Sequence, residues 1–265
     1  MNNDIYDYIN KWVGKNTTIY PRYRIDKTLD FVANIINNNN ISIIATGAKR
    51  NNTDISYMEY LNLFLIDNNE NNAKDTRVFK KDISKILEKE NIEYNDILDS
   101  LIIDYDKEKI ILRPSFKIEE ENNKIEAALI TSPDGENNIY YPKLDNKNFD
   151  KKEHECKDNF INLIRIFKYI FQSFNGEIKE LNEFNYEIIE ALVWNVPDEY
   201  FNFKDYDDGL LKSINYLYDK IASEDYIELS EINDIKVLFS TKNNINRKNV
   251  LVALYKLRKY IEENM

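Results

Sequence analysis

Residues Thr46–Asp67 have the sequence "TGAKRNNTDISYMEYLNLFLID". The apolar, β-branched run at 41–46 leads into it and predicts a strand. Gly47 then allows a close approach of the backbone, and a polar loop with two basic residues follows. A second apolar run, at 60–66, predicts another strand. This order of strand, glycine, basic loop and strand indicates the mouth of a site that handles nucleotides.

Composition limits the classes of protein to which the chain can belong. Its 265 residues, 43% of them hydrophobic, suit one large domain or two closely packed ones. The net charge of −11 disfavours broad binding of nucleic acid, which is a polyanion. The one cysteine, Cys156, excludes an internal disulfide and fits a reducing compartment. We find no signal-peptide pattern and no apolar run of about 18 residues, so we expect a cytoplasmic protein without membrane contact.

Hydrophobic periodicity predicts the elements of an N-terminal domain. Helices are predicted at 3–13, 22–38 and 75–90, and further strands at 101–105, 109–113 and 125–130. "SPDGENN" at 132–138 is predicted to be a turn because it contains Pro-Asp-Gly. The mixture of strands and helices is typical of an α+β sheet domain, which we assign to residues 1–150.

The C-terminal part, residues 151–265, is predicted to be a helical domain. A stripe of apolar residues at helical spacing begins at Phe160. Further helices are predicted at 184–195, 207–222 and 249–262. The short apolar run Ile235–Phe239 is predicted to be either a strand or a buried loop.

Several motifs occur in an order that indicates a family. Gly47-Ala48, Thr53 and "YLNLFL" at 60–65 follow a pattern of Gly-Ser, a polar loop with Thr, and an Asp-x-Asp strand. "KIILRPSF" at 109–116 has a proline three residues after the position of a third Asp, and "ALVWNVPDEYF" at 191–201 is similar to a Tyr-Asn-Val-Pro helix end. With these motifs the chain resembles the cGAS/DncV-like nucleotidyltransferases of bacterial antiviral signalling.

The resemblance implies a fold, a ligand and partners. The implied fold is a polymerase-β-like nucleotidyltransferase sheet domain packed on a C-terminal helical bundle. A nucleotide or cyclic oligonucleotide would bind in the cleft between them, and three carboxylates would hold two Mg²⁺ ions. A protein partner from a defence system is also implied.

The three carboxylate positions are the main departure from the family. Tyr60 and Asn62 occupy the Asp-x-Asp positions, and Ile111 occupies the position of the third Asp. Mg²⁺ prefers anionic oxygen ligands, and none of these side chains is anionic at pH 7. We therefore expect no catalytic residues, no metal site and no cofactor, with Mg²⁺ used only if the chain is an active enzyme after all.

Four other carboxylates stand nearby in the sequence: Asp54, Glu59, Asp67 and Asp104. Glu59 and Asp67 lie at odd steps from Asn62, so they face the other side of a regular strand. Asp54, in the loop, could reach a metal ion. We interpret all four as a solvated acidic surface.

Six residues are predicted to bind the nucleotide: Gly47, Lys49, Arg50, Thr53, Arg165 and Lys168. In the loop, Ala48 replaces the serine of the family pattern. Alternatively, these residues form an ordinary polar loop that binds no nucleotide. Arg165 and Lys168 share one helix face. The resemblance implies a phosphate contact there, and the alternative is surface charge.

The single histidine and the single cysteine carry weaker predictions. No Cys/His cluster accompanies His154, so a zinc site is not expected. We predict that His154 is an exposed loop residue and that Cys156 is a small buried hydrophobic residue.

Three functions remain open. The first is a catalytically inactive pseudoenzyme that binds a nucleotide or nucleotide second messenger in bacterial or phage defence. The second is a scaffold or regulatory partner with no ligand. The third is an active nucleotidyltransferase that uses Asp54, Asp67 or Asp104. The loss of all three carboxylate positions favours an inactive protein, and the remaining basic residues favour the first function.

Overall fold

A computed structural model describes residues 22–55, 60–69, 75–106, 108–120, 125–173, 186–240 and 245–264. The predicted helix at 3–13 lies outside these residues. The chain divides into two compact units between Asn146 and Lys147. Each unit has its own hydrophobic core. The predicted domain boundary at residue 150 stays a prediction.

The N-terminal unit is built around a mixed β-sheet. In chain order its described elements are α1 (Arg22–Ile36), β1 (Ile41–Thr46), α2 (Gly47–Asn51), β2 (Leu61–Asp67), α3 (Thr76–Lys89), β3 (Tyr94–Ile97), β4 (Ser100–Tyr105), β5 (Glu108–Glu120), β6 (Ile125–Thr131) and β7 (Asn137–Tyr140). The main path of the sheet is β1-β2-β5-β4-β3, with β6 beside β5 and β7 beside β6. Only the β2–β5 pairing is parallel among these strands.

Strand β5 is long because two strands, β4 and β6, pair with successive segments of the same edge. Residues 108–112 pair with β4, and residues 116–120 pair with β6. Pro114 lies between these two segments, where neither neighbour requires a backbone N–H from it. A proline is tolerated at such a position, although it would interrupt a continuous ladder.

The two faces of β2 have different surroundings. Leu61, Leu63 and Leu65 are fully buried and join a core with residues of α1 and α3. Phe64 and Ile66 face the other way and join a smaller cluster with residues of β6. Since side chains alternate along a strand, Asn62 lies on the same face as Phe64, away from α1 and α3.

The C-terminal unit is helical. Its described elements are α4 (Pro142–Cys156, which contains the division), α5 (Asp158–Ser173), α6 (Tyr186–Trp194), α7 (Tyr206–Ala222), α8 (Arg247–Asn264) and 3₁₀ turns at Asp198–Phe201 and Glu224–Glu228. Its core includes the α5 stripe that begins at Phe160, together with apolar residues of α6, α7 and α8. The whole chain therefore has the predicted α+β class.

Some elements differ from the prediction. Strands β3 and β7 and helix α4 were not predicted, and β5 extends well beyond 109–113. The Ile235–Phe239 run is a turn-rich loop with one isolated bridge, from Val237 to Ser230. None of the described helices is both long enough and apolar enough to cross a membrane.

Candidate functional site

The glycine at the start of the candidate site is required by its surroundings. Gly47 follows the last residue of β1 and has φ +80°, a backbone conformation that favours glycine. A Cβ at this position would lie 2.9 Å from Nδ2 of Asn62. The Asn62 side chain therefore leaves no room for a side chain at position 47.

The sheet register brings two of the three expected carboxylate positions together. In the parallel pairing of β2 with β5, Asn62 stands opposite Ile111. Tyr60 directly precedes β2 and is half-buried. The adjacent pair consists of a neutral amide and an alkyl group. The site face of the sheet thus has the expected geometry without the expected charge.

Asn62 carries a polar atom whose hydrogen bonding is incomplete. Its Oδ1 is buried and accepts no hydrogen bond from the described residues. A buried acceptor of this kind costs folding free energy, about 1–3 kcal/mol, unless a ligand or water supplies a donor. The atom therefore marks a place where a donor group would be favoured.

The basic loop is held mostly by internal contacts. Lys49 is buried and forms an ion pair with Glu108, which also contacts Arg24 of α1, with Nη1 at 3.4 Å from Oε1. Arg50 is half-buried, and its Nη1 donates to Oδ1 of the neighbouring Asn51 at 3.3 Å. Glu108 therefore links Lys49, in the loop, to Arg24, on α1.

Thr53 closes the loop behind α2. Its side chain is fully buried, and its backbone N–H donates to the carbonyl of Ala48 at 2.9 Å. This contact fixes the turn that follows Gly47. The four loop residues predicted to bind nucleotide all belong to the N-terminal unit.

Arg165 and Lys168 lie on α5 in the C-terminal unit, and both are buried. Nζ of Lys168 lies 2.7 Å from Oε1 of Glu190 on α6, and 5.1 Å from the centre of the Tyr186 ring. The interpretation as exposed surface charge is therefore wrong for both residues. Their predicted contact with a phosphate group stays a prediction.

Among the other carboxylates, Asp54 departs from the solvated surface that we expected. Asp54 is buried, whereas Asp104 is exposed. Asp67 is half-buried, and its Oδ1 accepts from the backbone N–H of Asn69 at 3.0 Å. Glu59 lies outside the described residues. The surface interpretation is wrong for Asp54, because its loop folds inward beside Thr53.

A further cluster lies at the end of α4 and was not predicted. Lys152 is buried; its Nζ donates to the carbonyl of Val196 at 2.6 Å and lies 2.9 Å from Oδ1 of Asp198. Burial, together with the nearby carboxylate of Asp198, raises the pKa of the Cys156 thiol to about 12. His154 is exposed, as predicted, but it belongs to helix α4 and not to a loop.

Comparison with known proteins identifies similar chains. Residues 147–262 match the model of the cGAS/DncV-like nucleotidyltransferase C-terminal helical domain. The chain is 30% identical over 137 residues to the cyclic dipyrimidine nucleotide synthase CdnE of Legionella pneumophila. That match covers 50% of this chain and 44% of the relative, so it spans less than half of the relative's length.

Two solved structures share the fold over most of the chain. One is the CdnE cyclic dinucleotide synthase of Elizabethkingia meningoseptica with GTP and Apcpp, with a TM-score of 0.76, 20% identity, and coverage of 89% of this chain and 91% of that chain. Another is a STING-associated CdnE c-di-GMP synthase from Capnocytophaga granulosa, with a TM-score of 0.65, 13% identity, and coverage of 100% and 94%. At these identities the likeness shows the fold alone.

The expectation that the protein uses no cofactor is wrong. The relatives are synthases of cyclic nucleotides. Such synthesis is phosphoryl or nucleotidyl transfer, in which divalent ions such as Mg²⁺ neutralise the charge of the phosphates. A divalent metal ion is therefore the cofactor that the relatives imply.

The described side chains do not fit the metal cage that the family resemblance implies. Asn62 and Ile111 supply no anionic oxygen at the two adjacent positions. Within the described ranges, no group of three or more His, Cys, Asp or Glu side chains could hold a metal ion. The implied cofactor and the residues of this site therefore disagree.

Proposed function

We propose that this chain, a member of the cGAS/DncV-like nucleotidyltransferase family, binds a nucleotide without joining nucleotides. The observation that carries the proposal is the pairing of Asn62 with Ile111. A two-metal reaction needs carboxylates at these adjacent positions, because they hold the ions that align the attacking and leaving oxygens. An amide beside an alkyl group provides no such anchor.

Binding is supported by what the site retains. Gly47 keeps the glycine of the loop, with a positive φ, and Asn62 offers a buried acceptor. Arg50 is half-buried and can supply positive charge from the loop. We assign Lys49 to holding the loop in place, because its ammonium contacts Glu108. We assign Arg165 and Lys168 to stabilising the C-terminal unit, in which both are buried.

The ligand class follows from the relatives by analogy. A solved relative holds GTP and Apcpp, and another is associated with STING. We therefore propose a nucleoside triphosphate or a cyclic oligonucleotide as the ligand, and bacterial or phage defence in the cytoplasm as the setting.

Two measurements test this proposal together. The protein is incubated with labelled ATP, GTP, CTP and UTP in the presence of Mg²⁺ or Mn²⁺, and we expect no joined product. Thermal unfolding is then followed with the same nucleotides and with cyclic di- and trinucleotides, all with Mg²⁺. A ligand at a hundred times its dissociation constant should add about 2.7 kcal/mol of stability. Product formation that Asp54→Ala abolishes would overturn the proposal.

A second candidate function is a scaffold or regulatory protein. The hairpin between β3 and β4 favours it, because Leu98 is 74% exposed and has φ +47°, a conformation unusual for leucine. Ile97 beside it is also exposed. In a plaque assay of the native defence locus, Leu98→Asp should abolish protection if the protein is a scaffold. Asn62→Ala should abolish protection if nucleotide binding is its function.

A further inference from the structure

Arg113 lies on the site face and was not singled out in the sequence. It stands opposite Phe64 in the pairing of β5 with β2, two residues along from the Asn62–Ile111 pair. At a rise of about 3.3 Å per residue, this places its backbone about 7 Å from that pair. Its guanidinium carbon lies 6.0 Å from the centre of the Phe64 ring. The side chain is therefore on the same face as Asn62.

The charge of Arg113 is not neutralised by the described part of the chain. No described carboxylate forms an ion pair with it, and its guanidinium lies over the Phe64 ring. Lys117, on the same strand and the same face, has Glu119 and Glu126 within 4 Å. The chain has a net charge of −11, and yet the half-buried Arg113 has no carboxylate partner among the described residues. Such a guanidinium favours an anion with two oxygens, which it can bind in a bidentate manner.

Two groups of opposite hydrogen-bonding character thus share one face. Arg113 offers N–H donors and positive charge, and Asn62 offers a buried acceptor, Oδ1, that receives no hydrogen bond from the described residues. A ligand that satisfies both must carry an anionic group and, a few ångströms away, an O–H or N–H donor. A nucleoside phosphate has both groups.

We propose that Arg113 binds a phosphate group of the nucleotide and that Asn62 accepts a hydrogen bond from a hydroxyl or amino group of its nucleoside. This assignment rests on the proposed function, since it concerns the same ligand. Arg113 then provides positive charge two residues along the strand from the positions that lack metal-binding carboxylates. The family-derived expectation of anionic side chains here is replaced by a cationic one.

The experiment is calorimetric titration of the full chain in Mg²⁺ buffer with two kinds of probe, inorganic tripolyphosphate and each of the four nucleoside triphosphates. Arg113→Gln should weaken both kinds of binding about tenfold to a hundredfold, the usual value of a charge-assisted contact. Asn62→Ala should weaken binding of the nucleoside triphosphate and leave tripolyphosphate within about twofold, because tripolyphosphate has no nucleoside. Lys117→Gln is the matched control, and it should change neither probe by more than about twofold.

A purely structural role of Arg113 predicts a different pattern. If Arg113 only packs on Phe64, Arg113→Gln lowers the melting temperature and leaves both affinities unchanged. Arg113→Lys keeps the positive charge on a long side chain but loses the bidentate fork. It should fold and bind tripolyphosphate about threefold to tenfold more weakly, so it decides the matter if the glutamine variant does not fold.

The outcomes separate this inference from the proposed function. If the wild type binds a nucleoside triphosphate with an affinity that neither Arg113→Gln nor Arg113→Lys changes, that result overturns the role of Arg113 and retains the nucleotide-binding proposal. Absence of binding of both probes to the wild type overturns both. If the wild type joins nucleotides and Arg113→Gln weakens binding as expected, only the proposed inactivity is overturned.

Discussion

Lys168 and Glu190 form an ion pair inside the C-terminal unit, with Nζ and Oε1 2.7 Å apart and both side chains almost completely buried. The residues are 22 positions apart and belong to α5 and α6. A buried charge costs several kcal/mol unless an opposite charge lies beside it. The pair therefore couples the positions of the two helices.

The first prediction concerns the loss of one partner. Glu190→Leu removes the carboxylate that the buried ammonium contacts, so it should lower the free energy of unfolding by about 3–5 kcal/mol. Lys168→Met combined with Glu190→Leu should recover most of that loss, because no buried charge remains. Urea unfolding followed by circular dichroism measures both variants.

The exposed pair Lys212–Asp208 on α7 is the control for this prediction. Its atoms are 2.6 Å apart, but both side chains are more than half exposed. Asp208→Ala should therefore change stability by only about 0.5 kcal/mol. Equal losses from Glu190→Leu and Asp208→Ala would show that the burial of Lys168 has no energetic consequence.

The second prediction concerns the contact between Gly47 and Asn62. Gly47→Ala places a Cβ 2.9 Å from Nδ2 of Asn62 and also strains a backbone at φ +80°. Gly135→Ala, at φ +94° with nothing within 4 Å of the new Cβ, isolates the backbone strain. We expect about 1–2 kcal/mol of lost stability at Gly135 and a further 1–3 kcal/mol at Gly47 from overpacking.

Shortening the Asn62 side chain should reverse the loss of stability from overpacking and leave the loss from backbone strain. In the Gly47→Ala/Asn62→Ser variant, the new methyl group has room, so the melting temperature should rise to about that of Gly135→Ala. If the double variant melts at the same temperature as Gly47→Ala alone, Asn62 is not the group that excludes the side chain.

The sequence predicted the parts of the fold that have strong periodicity. Strand β1 and helices α1 and α3 carry regular apolar patterns, and their predicted limits agree with the structure within two residues. Strands β3 and β7 have four residues each, and they are strands because β4 and β6 supply their hydrogen bonds. Helix α4 is rich in charged and polar residues, so hydrophobic periodicity did not predict it.

The candidate site was only partly visible in the sequence. The family resemblance implied that the positions of Asn62 and Ile111 belong to one site, and the register shows that the two residues are adjacent. The burial of Lys168 depends on Glu190, far away in sequence, and no local pattern reveals such a partner. Arg113 was overlooked because the family motif directs attention to Ile111 and Pro114 on either side of it.

The third prediction concerns Lys152. Its ammonium lies 5.1 Å from the ring centre of Phe201 and 5.8 Å from that of Trp194, and it hydrogen-bonds to the carbonyl of Val196. Lys152→Met keeps the side-chain volume but removes the charge and the hydrogen bond. We expect a loss of about 2–3 kcal/mol, because a charge-assisted hydrogen bond of this kind contributes about 1.5–3 kcal/mol.

Tryptophan fluorescence locates the effect. In a Trp12→Phe background, emission reports Trp194 alone, so its maximum should shift in Lys152→Met. Lys151→Met, an exposed neighbour on the same helix, should leave both emission and stability within about 0.5 kcal/mol of wild type. A shift of the same size in both variants would show that the ammonium does not determine the environment of the ring.

The fourth prediction concerns pH and follows from Cys156. Burial raises the pKa of its thiol to about 12 in the folded protein, whereas a thiol in an unfolded chain has a pKa of about 8.5. Between these values the unfolded chain loses the proton and the folded chain keeps it. The unfolded state therefore binds fewer protons, and the contribution of this thiol to stability is full below about pH 8.5 and is lost as the pH rises toward 12.

Two measurements check this assignment. Because Cys156 is the one cysteine of the chain, alkylation by iodoacetamide reports it alone. At pH 9 the folded protein should react at least about a hundredfold more slowly than the urea-unfolded chain, since only the thiolate reacts. Cys156→Ala should flatten the fall in melting temperature between pH 8 and pH 10.5. Alkylation at the unfolded rate, or an unchanged pH dependence in Cys156→Ala, would show that the thiol titrates normally in the folded protein.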